Sequence, residues 1–248
     1  MQIKVLKNSE ELGKEAAKYS AEILNKAIKK KGKARLILST GASQFDTLKV
    51  LVKMELDWSK VEMFHLDEYV GLPETHPASF RKYLKERFIN IVHPGKVFLV
   101  DGEGNIQKNI AQLNKAIREE PVDLALIGIG ENAHIAFNDP PADFETKEAY
   151  IIVDLAERCK KQQVGEGWFQ TVDDVPKQAI SMTIYQIMQS RVIISPVPYQ
   201  VKAEAIKLTL ENDLSNMVPA TMLKKHKSVT LFLDEDSASL VDPKLLNR

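Results

Sequence analysis

Short, nearly continuous apolar runs alternate with longer amphipathic stretches along almost the whole chain. No other feature constrains the fold as strongly. Ala34–Leu38 reads ARLIL and Val122–Ile127 reads VDLALI. Runs of this length and character suit strands buried on both faces of a parallel sheet. Further strands are expected at Ile3–Leu6, Val61–Leu66, Val97–Val100, Arg191–Ser195 and Val229–Leu233. Helices are expected over about Ser9–Lys30, Gln44–Met54, Asn105–Glu119 and Tyr199–Glu211, with another beginning near Ser79. Asn8 or Ser9 caps the first, and Gly32 stops it. The alternation predicts an α/β fold, with a mostly parallel sheet and helices on both faces.

The chain has 248 residues and neither an internal repeat nor a Pro/Gly-rich linker, so one domain over 1–248 is expected. Its least regular stretch is about 140–176, which contains VGEGWFQTVDD around Trp168 and Phe169. That stretch reads either as a lid with an exposed aromatic pair or as a surface excursion anchored by buried aromatics.

Charge narrows the class of partner. Lys+Arg and Asp+Glu number 34 each, so nothing points to a nucleic acid or an acidic membrane surface. The lone Cys159 rules out an intrachain disulfide, and no Cys-based zinc site or catalytic thiol is expected. There is no signal-type apolar segment near the start and no long apolar stretch, so a soluble cytoplasmic protein is expected.

Three segments carry candidate chemistry. Ser39-Thr40-Gly41-Ala42-Ser43 lies between a strand and a helix. Its small residues and the helix N–H groups beyond it suit a phosphate, although it matches neither a Walker A loop nor GxGxxG. Asp67 and Glu68 are adjacent at a strand end. Adjacent side chains on an extended chain point opposite ways, so one can face a cleft while the other meets a structural partner. The third segment is GIGENAHIAFNDPP, from Gly128 to Pro141. His134 there is a candidate acid/base, with Asp139 to fix its tautomer. No HxH or HExxH spacing suggests a metal, and GxSxG is missing for a serine hydrolase. Lys202 can reach a phosphate as a point charge.

Together STGAS, LDEYVGLPETHPASFRKYL, GIGENAHIAFNDPP, VPKQAISMTI and Lys202 resemble the glucosamine-6-phosphate deaminase (isomerase) family, which is related to the 6-phosphogluconolactonases. The resemblance spans most of the chain and implies an open, Rossmann-like sheet. It implies amino-sugar metabolism: aldose–ketose isomerisation of glucosamine 6-phosphate with loss of ammonia, giving fructose 6-phosphate. No metal or organic cofactor is implied.

By this resemblance Asp67 is the base that moves a proton from C2 to C1, and His134 is the ring-opening acid/base. Asp139 orients His134, standing where the family usually has Glu. Asn132 stands where it commonly has an acid. Ser39, Thr40, Gly41, Ala42, Ser43 and Lys202 form the phosphate cradle. Glu68, Gly130, Glu131, Ala133 and Arg158 are further candidates for substrate binding, Arg158 as the lid's phosphate-gripping arginine. The two departures at 132 and 139 change the reach and charge of the His134 relay. Two alternatives remain: a 6-phosphogluconolactonase-type hydrolase, or a non-catalytic phosphosugar-binding module. The latter is the less expected, because Asp67 and His134 are both present and the sequence opens on the α/β pattern rather than a DNA-binding head. Some relatives assemble and some do not, so a homo-oligomer stays open, as does the sugar epimer.

Overall fold

The apolar runs pair into one parallel sheet. A computed structural model describes residues 1–246. Its strands are β1 (Gln2–Leu6), β2 (Ala34–Leu38), β3 (Val61–His65), β4 (Asp67–Tyr69), β5 (Lys96–Phe98), β6 (Leu124–Leu126), β7 (Tyr150–Asp154), β8 (Gln178–Met182), β9 (Val192–Val197) and β10 (Val229–Asp234). Seven form a parallel sheet in the order β1-β10-β9-β6-β2-β3-β5.

Both faces of the sheet are buried at its centre, which is why β2 and β6 are largely apolar, whereas the edge strands β1 and β5 are partly exposed. In β2, Leu36 and Leu38 join one core while Ile37 joins the other, as the two-residue strand period requires. The helix Ser9–Lys31 covers the first face with Leu12, Ala16 and Leu24. Asn8 Oδ1 accepts from Glu11 N at 2.9 Å to start this helix. Gly32 ends it at φ 79°, a conformation that suits glycine. Ile106–Arg118 and Ala203–Glu211 cover the other face with Ile110, Leu113, Ile117, Ala205 and Ile206. The buried Arg35 of β2 is satisfied there. Its guanidinium donates to the carbonyls of Ala116, Ile117 and Glu120, at the carbonyl end of Ile106–Arg118, and pairs with Glu62 at 3.1 Å.

The strand order positions the site. From β2 the chain steps outward to β3 and β5, then returns to β6 on the opposite side of β2 and proceeds to β9 and β10. The loops after β2 and β6 therefore leave the sheet in opposite directions and open a crevice between them. They are the STGAS loop and the Gly128–Pro141 segment.

A second sheet was not expected. β4, β8 and β7 pair antiparallel in the order β4-β8-β7. Asp67–Tyr69 had read as the end of β3, but it breaks away from it and pairs with Ala179–Ser181. Within 140–176, β7 and the helix Glu157–Gly165 replace the irregular excursion. Ile151–Val153 are only partly buried and so lack the core-strand pattern. The aromatic pair is not exposed: Phe169 is buried between Tyr69 and His76, and Trp168 is half-buried.

Several elements are shorter than their patterns. The helix expected at Gln44–Met54 is Phe45–Leu51 after a 3₁₀ turn, Ala42–Gln44. The helix after Ser79 widens to a π turn at Lys85–Ile89. A 3₁₀ turn, Gln200–Lys202, precedes Ala203–Glu211. Within Val122–Ile127 only β6 keeps ladder geometry, and β5 ends before Val100. Among the described residues no helix is long and apolar enough to cross a membrane.

Gly13 seats Ser9–Lys31 against Phe45–Leu51, which carries the STGAS loop. A Cβ at Gly13 would lie 2.6 Å from the backbone carbon of Asp46. Gly13→Ala should therefore lower stability by about 1–3 kcal/mol despite alanine's better helix propensity. Urea unfolding checks this, with a midpoint at or above wild type arguing against the tight contact.

Candidate active site

The crevice between the β2 and β6 loops is a cleft. Lining it are Ser39, Thr40, Gly41, Ala42 and Ser43 from one loop, and Gly128, Gly130, Glu131 and His134 from the other. Asp67 enters from β4, and Lys202 from the turn before Ala203–Glu211. Segments far apart in sequence thus converge on one space.

The end of the cleft formed by Ser39–Ser43 is built largely from backbone. Ser39 N and Ser39 Oγ both reach Leu126 O at 3.1 Å, tying the loop to β6. Gly41 has φ 99°, a conformation that L side chains rarely adopt. The close approach continues at Gly128, where a Cβ would meet Ser43 Oγ at 3.2 Å. Lys202 is 6% exposed. Among the cleft-lining residues it is the only Lys or Arg, against three carboxylates at Asp67, Glu131 and Glu166. Burial pushes its pKa down, opposed by Glu166 and Glu131.

The opposite wall comes from the expected excursion, and it holds residues that the motifs did not flag. Gln162, Gln163, Glu166 and Trp168 all line the cleft. Gln162 Oε1 accepts from Glu131 N at 3.2 Å, and Gln162 Nε2 donates to Glu166 Oε1 at 2.8 Å. Trp168 Nε1 donates to Glu166 Oε2 at 3.1 Å. Tyr69 Oη donates to Gln163 Oε1 at 2.8 Å, pinning this wall beside Asp67. The i,i+4 spacing of Gln162 and Glu166 is the signal that could have placed them on one helix face.

Asp67 and Glu68 do point apart. Asp67 faces the cleft, whereas Glu68 is fully buried behind it and does not line it. Glu68 accepts from Tyr69 N, Ser79 Oγ, Phe80 N, and Arg81 N and Nε. Arg81 in turn pairs with Asp101 at 2.6 Å and Glu103 at 2.8 Å. This network anchors the segment 72–81. Burial, with Glu68 adding repulsion, pushes the Asp67 pKa up to about 8. Nearby His65 is pushed down to about 3 by burial and by Arg81, so it stays neutral.

His134 sits over Gly130. A Cβ at Gly130 would lie 2.1 Å from His134 Nε2, so only glycine admits the ring there. The flanking Ala133 and Ala136 have φ 63° and 53°. Non-glycine residues adopt such angles where the surroundings over-determine them, often at functional sites. His134 Nδ1 lies 3.1 Å from Asp139 Oδ1. Asn132 Nδ2 donates to the same oxygen at 3.0 Å, while Asn132 Oδ1 accepts from His134 N at 3.2 Å. Asn132 therefore braces the pair from outside the cleft lining. Burial opposes ionisation of Asp139, but hydrogen bonds and the His134 charge hold its pKa below the usual range.

Two further candidates lie outside the cleft lining. Arg158 is exposed on Glu157–Gly165 and does not line the cleft, because its helix turns Gln162 and Gln163 inward instead. Ala133 is buried beneath the loop; its carbonyl accepts from Ala220 N.

Comparisons with known proteins place the chain among relatives. A profile for the family described as glucosamine-6-phosphate isomerases/6-phosphogluconolactonase matches residues 7–232. The chain is 36% identical to a glucosamine-6-phosphate deaminase of Lactobacillus delbrueckii subsp. bulgaricus, over 97% of this chain and 100% of the relative. Identity to the glucosamine-6-phosphate deaminase of Thermoanaerobacter sp. is also 36%, covering 97% and 95%. A solved monomeric glucosamine-6-phosphate deaminase superposes with TM-score 0.89 at 29% identity, covering 97% of this chain and all of the other. A putative 6-phosphogluconolactonase from Neisseria gonorrhoeae shares the fold, with TM-score 0.75, 20% identity, and coverage of 95% and 100%.

The contact at Gly130 yields a direct test. Gly130→Ala should displace the His134 ring and cost about 100-fold in activity while the protein stays folded. Steady-state rates alongside circular dichroism check this; full activity would mean that the ring need not sit against Gly130.

Proposed function

The chain belongs to the glucosamine-6-phosphate isomerase/6-phosphogluconolactonase family, and on that premise we propose how its cleft carries out the reaction. The reaction is deamination of glucosamine 6-phosphate, with water, to fructose 6-phosphate and ammonium. The observation that carries the reading is the charge layout of the cleft. One buried lysine stands beside a backbone cradle, and three carboxylates line the remaining space. That layout complements a substrate with an anionic phosphate and a cationic amine. A phosphorylated lactone brings no cation for the carboxylates.

In this reading the phosphate binds Lys202 and the loop Ser39–Ser43. His134 moves a proton at the ring oxygen to open the sugar, with Asp139 and Asn132 holding its orientation. Asp67 then takes the C2 proton and returns it at C1, passing through an enolamine. Water adds to the resulting C2 imine, and ammonia leaves. Gln162, Gln163, Glu166 and Trp168 are the part of the 140–176 segment that meets substrate in this reading. A sugar phosphate is too polar to cross a bilayer unaided, so the reading carries with it a cytoplasmic location.

The test is ammonium release from glucosamine 6-phosphate, with galactosamine 6-phosphate and 6-phosphogluconolactone alongside. Ammonium and fructose 6-phosphate are the expected products. Lactone hydrolysis without ammonium from either amino sugar would overturn the reading.

Three outcomes follow from the assigned roles. Asp67→Asn should abolish isomerisation while phosphosugar binding persists, as checked by turnover and calorimetry. Lys202→Ala should raise KM about 10- to 100-fold, since a hydrogen bond to a charged group is worth about 1.5–3 kcal/mol; an unchanged KM would remove Lys202 from the cradle. The third concerns pH. A base must be deprotonated to act, and the raised pKa of Asp67 leaves only about a tenth of it ionised at pH 7. Accordingly kcat/KM should fall as pH drops through about 8. The acid limb of kcat should lie lower, because a bound ammonium favours the carboxylate. Coincident limbs would contradict an amine next to Asp67.

A further inference from the structure

The His134–Asp139 pair is incompletely closed. The two residues approach at 3.1 Å, yet His134 Nδ1 and Asp139 Oδ2 are both buried without a well-formed hydrogen bond among the described residues. His134 is 8% exposed, and the Asp139 side chain is also 8% exposed. A third group faces the same space: Cys159, 1% exposed, on the helix Glu157–Gly165. Ligand atoms of His134, Asp139 and Cys159 all lie within 4.8 Å of one another. No spacing motif announces this set, because its members come from separate loop and helix segments.

An imidazole nitrogen, a carboxylate oxygen and a thiolate are a donor set that suits zinc. Metal–ligand bonds of about 2.0–2.3 Å place tetrahedral ligands about 3.3–3.7 Å apart. The ligand atoms need to close by only about 1 Å to reach that spacing. We propose that His134, Asp139 and Cys159 form an inhibitory zinc-binding site directly behind the active-site histidine.

The chemistry involves no change of oxidation state. Zn²⁺ replaces the thiol proton, which leaves as H⁺, and a zinc–thiolate bond forms. The Nδ1 proton moves to Nε2, and Nδ1 gives its freed lone pair to the metal. The ring can then no longer accept a proton through Nε2. The inhibitory effect rests on the role assigned to His134; the metal binding does not. Because the phosphate cradle is separate, zinc lowers kcat and leaves KM nearly unchanged.

The experiment uses the full chain, with zinc for kinetics and cobalt(II) as a spectroscopic substitute. Expected are one cobalt per chain with a thiolate-to-cobalt charge-transfer band, a zinc-dependent loss of kcat reversed by chelator, and zinc tolerance in Cys159→Ser. That variant keeps basal activity but needs more than about 10-fold higher zinc for half-inhibition, since losing even an outer partner of a metal costs that much. The cobalt spectrum of the unmodified protein needs no variant to fold. Absence of the thiolate band, or equal zinc sensitivity in wild type and Cys159→Ser, overturns the proposal. A thiolate band in a protein that releases no ammonium would leave the metal site standing and reject the catalytic reading instead.

Discussion

The reversal of strand order between β2 and β6 is the constraint on which the site depends. In a parallel sheet every strand delivers its following loop to the same edge. Neighbouring loops ordinarily crowd one another there. Where the chain progresses outward on both sides of one point, the two loops part and leave a crevice. Here the loop after β2 brings small residues and free backbone N–H groups, and the segment after β6 brings His134. The hydrogen bonds from Ser39 to Leu126 O keep the two loop origins together.

The second sheet supplies what the crevice lacks. β4 leaves the main sheet after His65 and turns Asp67 into the cleft, while pairing with β8 holds it there. Glu68 is bound so completely behind it that this short strand has little freedom to turn over. The same burial that fixes the geometry raises the Asp67 pKa. Desolvation thus makes Asp67 a stronger base, at the cost of a smaller ionised fraction near neutrality. The wall carrying Gln162, Glu166 and Trp168 is tied to this sheet through Tyr69, so the far wall of the cleft and Asp67 share one support.

Much of the fold was legible because periodicity reports burial. β2 and β10 are wholly buried and their apolar runs mark them closely. The helix Ser9–Lys31 carries its own cap and stop signals. β4, with two carboxylates in three residues, and the half-buried β7 lack that signature. Their pairing comes from distant chain, and local propensity does not report it. The position of Arg158 was illegible for a related reason: neighbouring residues on a helix point about 100° apart, and here Cys159 is buried while Arg158 is exposed.

The sequence by itself determined the α/β layering, the two loops at the edge of the sheet and the residue types available for acid–base chemistry. These are local properties, written in apolar period, capping residues and glycines. Only the tertiary structure decided that Asp67 faces the cleft and Glu68 does not, that Gln162 and Glu166 form its far wall, and that Cys159 lies behind His134. Those outcomes depend on which distant segments pack together, and the free energy of such packing is a property of the assembled core rather than of any short window of chain.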